Sequence, residues 1–175
     1  MNWKIVGTLL LASGLLSSCS SKKPRPSPDH YCSPEGSFCI EVPGAPKIDK
    51  ESQDIPNQVS MFMKKYEWGE ANDMVYLVLA IDATPATGVE ANFQGALDKV
   101  VEGIGKRMGG NVVGKKDVDV AGRKGTETLV ENPKGFRMAL RGLIVDQRIY
   151  IIVIGAPFAN WDAAETARYF DSFKL

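Results

Sequence analysis

The second half of the chain is built from strand-like segments joined by short turns. These segments cover residues 112–120, 123–130, 136–145 and 148–154. The turns between them are Ala121-Gly122, Asn132-Pro133-Lys134-Gly135 and Asp146-Gln147. Connections this short cannot return the chain for parallel pairing, so neighbouring strands must be antiparallel. The segment 148–154 is almost wholly apolar, which is typical of a strand covered on both faces.

Further strands and a helix are predicted before this region. Apolar residues indicate strands at 38–42, 58–68 and 74–81. Thr87-Gly88-Val89-Glu90 has the pattern of a capping box, which opens a helix that ends at Gly109-Gly110. The apolar stripe of this helix includes Phe93, Leu97, Val100, Val101 and Ile104. We expect this stripe to pack on the apolar strands 74–81 and 148–154.

A second helix closes the chain. Asn160 or Asp162 is its predicted N-cap, and the helix runs through Phe170. The apolar strands need cover, and the two helices are the elements available to supply it. The sequence therefore predicts an α+β sandwich in which an antiparallel sheet is flanked by two helices.

The first residues of the chain have the features of an export signal. A start containing Lys4 precedes an uncharged run at 5–16, which is shorter than the roughly 20 residues that span a hydrocarbon core. Leu16-Ser17-Ser18-Cys19 resembles the lipobox of bacterial lipoproteins. That resemblance implies that residues 1–18 are removed as a signal peptide and that Cys19 carries diacylglycerol and a further acyl chain such as palmitate. The alternative is an ordinary secreted protein with an incidental cysteine.

The segment after Cys19 is predicted to be a tether. Residues 19–30 contain serines, charges and three prolines in alternate positions, a composition that favours an extended chain. His30 is assigned to this tether, and one globular domain is expected over 31–175. Ser20 resembles the outer-membrane address of Gram-negative lipoproteins. The expected location is therefore the cell envelope, on the periplasmic side of the outer membrane if the organism has two membranes.

Cys32 and Cys39 remain as a pair once Cys19 is assigned to lipid. Pro34 and Gly36 between them favour a turn, and an oxidising envelope compartment favours a disulfide. A redox-active pair is the alternative, but such pairs usually have the spacing Cys-x-x-Cys near a helix start. A structural disulfide is the favoured interpretation.

Four motifs resemble, in the same order, those of a family of exported bacterial proteins of unknown function. They are Gly36-Ser37-Phe38-Cys39-Ile40-Glu41-Val42-Pro43-Gly44-Ala45-Pro46, Ala121-Gly122-Arg123-Lys124-Gly125-Thr126-Glu127, and Phe170-Asp171-Ser172-Phe173-Lys174-Leu175, with Arg148-Ile149-Tyr150 before the last. The fold of that family resembles that of PsbP, the extrinsic protein of photosystem II. The resemblance implies an antiparallel sheet flanked by helices and assigns no catalytic residue. A cysteine at position 39 departs from the family pattern, which supports a disulfide particular to this protein.

The residue content argues against several classes of function. His30 is the only histidine, so a Ser-His-Asp triad or a histidine-based metal cluster inside the domain is not expected. The 21 Lys and Arg balance the 21 Asp and Glu, which gives no electrostatic basis for binding nucleic acid. We therefore predict that the protein is not an enzyme and has no catalytic residues, cofactor or bound metal.

Two groups of residues have a functional alternative to their structural interpretation. Asp117 and Asp119 lie two apart on one strand and could bind a hard cation, although a solvated strand face is the favoured interpretation. Four aromatic residues could line an apolar pocket, although a place in the core is favoured. These residues are Tyr66, Trp68, Tyr76 and Tyr150.

The sequence favours a membrane-anchored interaction module that docks on an unidentified envelope protein. The lipid anchor, the Pro-rich tether and the missing catalytic set support this hypothesis. The alternative is a carrier or chaperone-like binder of a small apolar ligand, for which a cavity beneath the helices would be evidence. An enzyme with a carboxylate-only or metal-assisted site is the third option.

Overall fold

The structure, a computed structural model, describes residues 29–35, 37–55, 59–71, 74–85 and 92–175. In chain order its elements are β1 (Asp29–Cys32), β2 (Cys39–Val42), β3 (Lys47–Ile55), β4 (Val59–Ala71), β5 (Met74–Pro85), α1 (Phe93–Arg107), β6 (Asn111–Val120), β7 (Arg123–Asn132), β8 (Phe136–Val145), β9 (Arg148–Pro157) and α2 (Ala163–Ser172). A short 3-10 turn, Phe158–Asn160, connects β9 to α2. Strands β3 to β9 form one sheet, and β1 and β2 form a separate hairpin.

The sheet has the strand order β3-β4-β5-β9-β8-β7-β6, and all its neighbours pair antiparallel. The short turns of the sequence predict this arrangement. At the turn between β6 and β7, Ala121 and Gly122 both have positive φ, 52° and 80°, which a two-residue turn needs to match the strand twist. Strand β9 lies in the middle of the sheet, and its residues 149–156 are all buried.

Helix α1 covers one face of the sheet and lies over β8 and β6. Its apolar stripe joins a cluster that contains Leu79 and Ile81 of β5 and Ile151 of β9. The prediction that this stripe packs on the two apolar strands is therefore confirmed, with β8 added as its nearest support. Leu97, which is 2% exposed, lies at the centre of the contact.

Helix α2 and the β1–β2 hairpin cover the opposite face, which we call the α2 face. Residues Phe38, Ile40 and Val42 alternate inward from the hairpin and are buried. The backbones of Cys39 and Lys174 exchange two hydrogen bonds of 2.8 and 2.9 Å, which fasten the hairpin to the end of the chain. The α+β sandwich predicted from the sequence is thus confirmed, with the hairpin sharing one face with α2.

Both helices begin at a capping side chain. Asn92 Oδ1 accepts a hydrogen bond of 2.7 Å from the Gly95 amide at the start of α1. Asp162 caps α2, where its carboxylate accepts hydrogen bonds from the amides of Ala164 and Glu165. The predicted capping box at 87–90 lies outside the described residues. Neither described helix is long and apolar enough to cross a membrane.

Two strands were not predicted from the sequence. Strand β3 is a polar segment at the edge of the sheet, so its pattern gives no apolar alternation. Strand β1 begins at Asp29, two residues before the predicted start of the domain at residue 31. His30 therefore lies in the hairpin, paired with Glu41, and the assignment of His30 to the tether was wrong. The assignment failed because β1 forms by pairing with β2, and the Pro-rich composition of the preceding residues gives no sign of that pairing.

Candidate interaction surface

The predicted disulfide is present between Cys32 and Cys39. The two residues lie opposite each other in the β1–β2 register, with an S–S distance of 2.09 Å and a Cα–Cα distance of 4.0 Å. The bridge closes the hairpin that packs on the α2 face. Cys19, the predicted site of lipid attachment, lies outside the described residues.

The four aromatic residues considered as a pocket lining all belong to the core. Tyr66, Trp68, Tyr76 and Tyr150 are each at most 3% exposed. Their rings contact other rings, and the centroids of Tyr66 and Phe38 lie 5.0 Å apart in an edge-to-face arrangement. Burial and a hydrogen bond from its hydroxyl to Glu35 raise the pKa of Tyr66 above its usual value. This geometry supports the structural interpretation of these residues.

Asp117 and Asp119 lie on the exposed edge strand β6. The Asp119 carboxylate accepts a hydrogen bond of 2.8 Å from the Gly122 amide, which gives it a role in the turn between β6 and β7. Within the described part of the chain, the sole group of three or more metal-ligating side chains in mutual reach lies elsewhere, at His30, Cys32 and Cys39. The structure therefore supports the interpretation that both aspartates lie on a solvated strand face.

A buried ion pair holds α2 against the sheet. Arg141 of β8 is 8% exposed, and its guanidinium donates to Glu127 of β7 and, at 2.9 Å, to the Phe170 carbonyl. The same guanidinium lies 4.7 Å from the centre of the Phe170 ring. Burial alone would raise the pKa of Glu127, but hydrogen bonds from Lys116 and Arg141 outweigh it and lower that pKa. Because the charged groups of this pair are hydrogen-bonded to each other, the pair supports the fold and leaves no group available to bind a ligand.

A second arginine lies on the same strand and is more exposed than Arg141. Arg137 is four residues before Arg141 on β8, so both side chains point to the α2 face. The Arg137 guanidinium lies 5.3 Å from the ring centre of Phe158 and 5.5 Å from that of Trp161. Its Nε donates a hydrogen bond of 2.8 Å to Glu131 of β7. We call Arg137, Phe158 and Trp161 the aromatic–arginine cluster.

The strand register brings this cluster together. Phe136 pairs with Pro157 and Arg137 pairs with Ala156, so Phe158, which follows Pro157, lies beside the start of β8. The Phe158 amide also donates a hydrogen bond of 2.8 Å to the Gly135 carbonyl, which fixes the 3-10 turn to the β7–β8 turn. The cluster therefore combines the start of β8 with the 3-10 turn that follows β9.

Phe158 is the member that sets this cluster apart from the core. It is 46% exposed, and no other aromatic side chain in the described ranges is exposed. None of the three residues of the cluster was singled out from the sequence. The signal that could have identified Phe158 was a large aromatic residue in the short connection between a strand and a helix.

Chemically, the cluster can recognise another surface but has no group that transfers a proton or attacks a bond. Two aromatic rings supply apolar contact area, and the guanidinium supplies hydrogen-bond donors in a fixed plane. Its hydrogen bond to Glu131 and its contacts with both rings restrict the arginine side chain before any partner binds. Arginine and tryptophan are among the residue types that most often dominate binding energy in protein interfaces.

Comparison with known proteins adds information about the fold. No family model and no curated protein matches the sequence. The chain is similar to the solution structure of cyanobacterial PsbP (CyanoP) from Synechocystis sp. PCC 6803, with 11% sequence identity and a TM-score of 0.56. The superposition covers 93% of this chain and 99% of that chain. The expected fold is therefore confirmed, and this protein has a PsbP-like α+β fold.

Proposed function

We propose that this protein is a lipid-anchored envelope protein that acts as a non-enzymatic interaction module and that docks on a protein partner through the aromatic–arginine cluster. The exposed Phe158, placed beside an ordered arginine and a half-buried tryptophan, is the observation that carries the proposal. The lipobox and the Pro-rich tether supply the anchor and the spacer.

The physical basis of the proposal is the cost of leaving Phe158 in water. Exposed apolar area is hydrated unfavourably, by about 25 cal/mol for each Å² that a partner could cover. The core of the protein does not need this ring, since the inward positions of the α2 face are already filled by Tyr169, Phe170 and Phe173. A partner surface that covers Phe158 and accepts hydrogen bonds from Arg137 would use both properties of the cluster.

A protein partner fits the cluster better than a small apolar ligand does. An apolar ligand needs a concave site that surrounds most of its surface. Phe158 lies instead on an exposed 3-10 turn, and the aromatic rings of the α2 face pack against one another. Membrane attachment through Cys19 would then concentrate the module near envelope partners.

Affinity capture tests the proposal. The full chain is expressed in its native host with a C-terminal tag, cross-linked in intact cells and purified from the membrane fraction. We expect Phe158→Ala to lose a partner that the wild type captures, and Arg137→Ala to weaken the same capture. Ile48→Ala serves as the matched control, because Ile48 is similarly exposed at 40% but lies on β3 at the far edge of the sheet.

Retention of every captured protein by both cluster variants, at the level of Ile48→Ala, would contradict the proposed contact. Loss of the same proteins in all three variants would show that capture depends on stability and not on this surface. Thermal melts of the three variants separate these cases.

A further inference from the structure

The outer face of the β1–β2 hairpin brings together three side chains with soft or borderline donor atoms. His30 and Cys32 are two apart in β1, so they point to the same side of the hairpin. Cys39 lies directly opposite Cys32 in β2. The nearest ligand atoms of the three residues, one imidazole nitrogen and two sulfurs, all lie within 4.8 Å of one another.

This group of donors is at the surface, where both a reductant and a metal ion can reach it. His30 and Cys32 are exposed, and Cys39 is partly buried. The inward side chains of the hairpin, Phe38, Ile40 and Val42, are buried in the core. Chemistry at the outer face therefore does not require the core to open.

We propose that the hairpin is a redox-gated site for a thiophilic metal ion of the Zn²⁺ or Cu⁺ type, with Cys32, Cys39 and His30 as ligands. In the oxidised protein the two sulfurs are bonded to each other and are poor ligands. A dithiol reductant breaks the S–S bond by transferring two electrons and two protons, and is itself oxidised to a disulfide. The metal ion then displaces the two thiol protons and binds two thiolates and the neutral imidazole.

The distances suit such a site. Zinc binds thiolate sulfur at about 2.3 Å and imidazole nitrogen at about 2.0–2.1 Å, so tetrahedral ligand atoms lie about 3.5–3.8 Å apart. Donors within 4.8 Å of one another reach this geometry by small side-chain rotations. Glu41 lies opposite His30, but its carboxylate accepts a hydrogen bond of 2.7 Å from Arg168, so the proposed site has three protein ligands.

The hairpin keeps the ligands close after the disulfide is reduced. The Ser33 amide donates a hydrogen bond of 2.9 Å to the Phe38 carbonyl, and the Ser33 hydroxyl accepts one of 2.9 Å from the Ser37 amide. The two hydrogen bonds between Cys39 and Lys174 hold β2 to the end of the chain. These contacts do not involve the sulfurs, so reduction frees two thiols that are already adjacent.

Zinc titration of the full chain, purified from membranes in detergent, tests this proposal. A chromophoric chelator that competes for Zn²⁺ reports the affinity, before and after reduction with a phosphine. We expect the reduced protein to bind one equivalent and the oxidised protein to bind none. With Co²⁺ as a spectroscopic probe, the reduced protein should show a thiolate-to-cobalt charge-transfer band.

Three substitutions identify the ligands. Cys39→Ser should abolish tight binding, and His30→Ala should lower the affinity at least about tenfold, since even the loss of a group that only orients a ligand costs this much. Asp29→Asn is the matched control, because Asp29 is exposed in the same strand, and it should leave the affinity unchanged.

Two outcomes would overturn the proposal. Equal zinc binding by the oxidised and reduced proteins would show that the disulfide does not gate a site. An unchanged affinity in His30→Ala would remove the histidine from the ligand set and leave a dithiol alone. Because His30 is exposed, this variant is expected to fold, and circular dichroism of the reduced wild type shows whether the fold survives reduction.

Discussion

Leu97 of α1 packs directly onto the backbone of Gly142 in β8. A Cβ atom at residue 142 would lie 2.5 Å from the Leu97 Cδ1 atom, which is closer than real Cβ contacts come. The helix therefore approaches the sheet as closely as it does because β8 has no side chain at this point. This contact joins helix α1 to the strands beneath it.

Truncation of Leu97 should be strongly destabilising. Leu97→Ala removes a side chain that is 2% exposed and leaves a cavity, so we expect the free energy of unfolding to fall by about 2–5 kcal/mol. Gly142→Ala should cost about 1–3 kcal/mol through overpacking against the same side chain. Urea denaturation followed by circular dichroism measures both.

The control for these variants is the pair of aspartates on the exposed edge strand. Asp117→Asn together with Asp119→Asn should change the free energy of unfolding by less than about 1 kcal/mol, as surface substitutions do. A mild Leu97→Ala, comparable with this double variant, would contradict the packing of α1 on the sheet.

The strand and helix pattern of the second half was predictable because each segment obeys a single period. Strand β8 was predicted at its observed bounds, since polar residues such as Arg137 and Arg141 alternate with apolar ones. Asp162 was one of two predicted caps of α2, and the structure selects it. Local chemistry alone determines these features, so the sequence is sufficient to find them.

Other features depend on contacts that no local pattern records. Strand β3 is mostly polar and lies at an edge, and only its pairing with β4 makes it a strand. His30 joins the hairpin by pairing with Glu41 of β2, after a Pro-rich segment that suggests a tether. The aromatic–arginine cluster likewise forms only once the register of β8 and β9 is known.

Acid should weaken the attachment of the hairpin tip through Glu35. Burial raises the pKa of this carboxyl, but hydrogen bonds of 2.8 Å from Lys64 and 2.7 Å from Tyr66 outweigh it and lower the pKa from 4.5 to about 2. A group whose pKa is lowered by folding stabilises the folded state above its unfolded pKa. That stabilisation is lost as the pH falls from about 4.5 towards 2.

Glu35→Gln should therefore remove part of the acid dependence of stability between these two pH values. Urea melts of the wild type and the variant, measured across this range, give the comparison. The two stability curves should converge near pH 2 and separate as the pH rises to about 4.5, above which their difference stays constant. Parallel curves would show that Glu35 is not held by Lys64 and Tyr66 in solution.

The proposed anchor makes a prediction about processing. Cys19→Ala should prevent acylation and leave the precursor uncut by the signal peptidase that acts on lipoproteins. Mass spectrometry of the envelope fraction measures both the mass of the mature N-terminus and its lipid. Cys39→Ala is the control, since it should leave lipidation intact, whereas an unlipidated wild-type chain that begins elsewhere would exclude the lipobox assignment.

Site-specific photo-cross-linking tests most directly whether the aromatic–arginine cluster is the docking surface. A photoreactive phenylalanine analogue is placed at residue 158 of the full chain in its native host, and at residue 48 as a control of similar exposure. After irradiation of intact cells, we expect a discrete adduct with one envelope protein from position 158 and none from position 48. An absence of adducts at position 158, or the same adducts at both positions, would contradict this expectation.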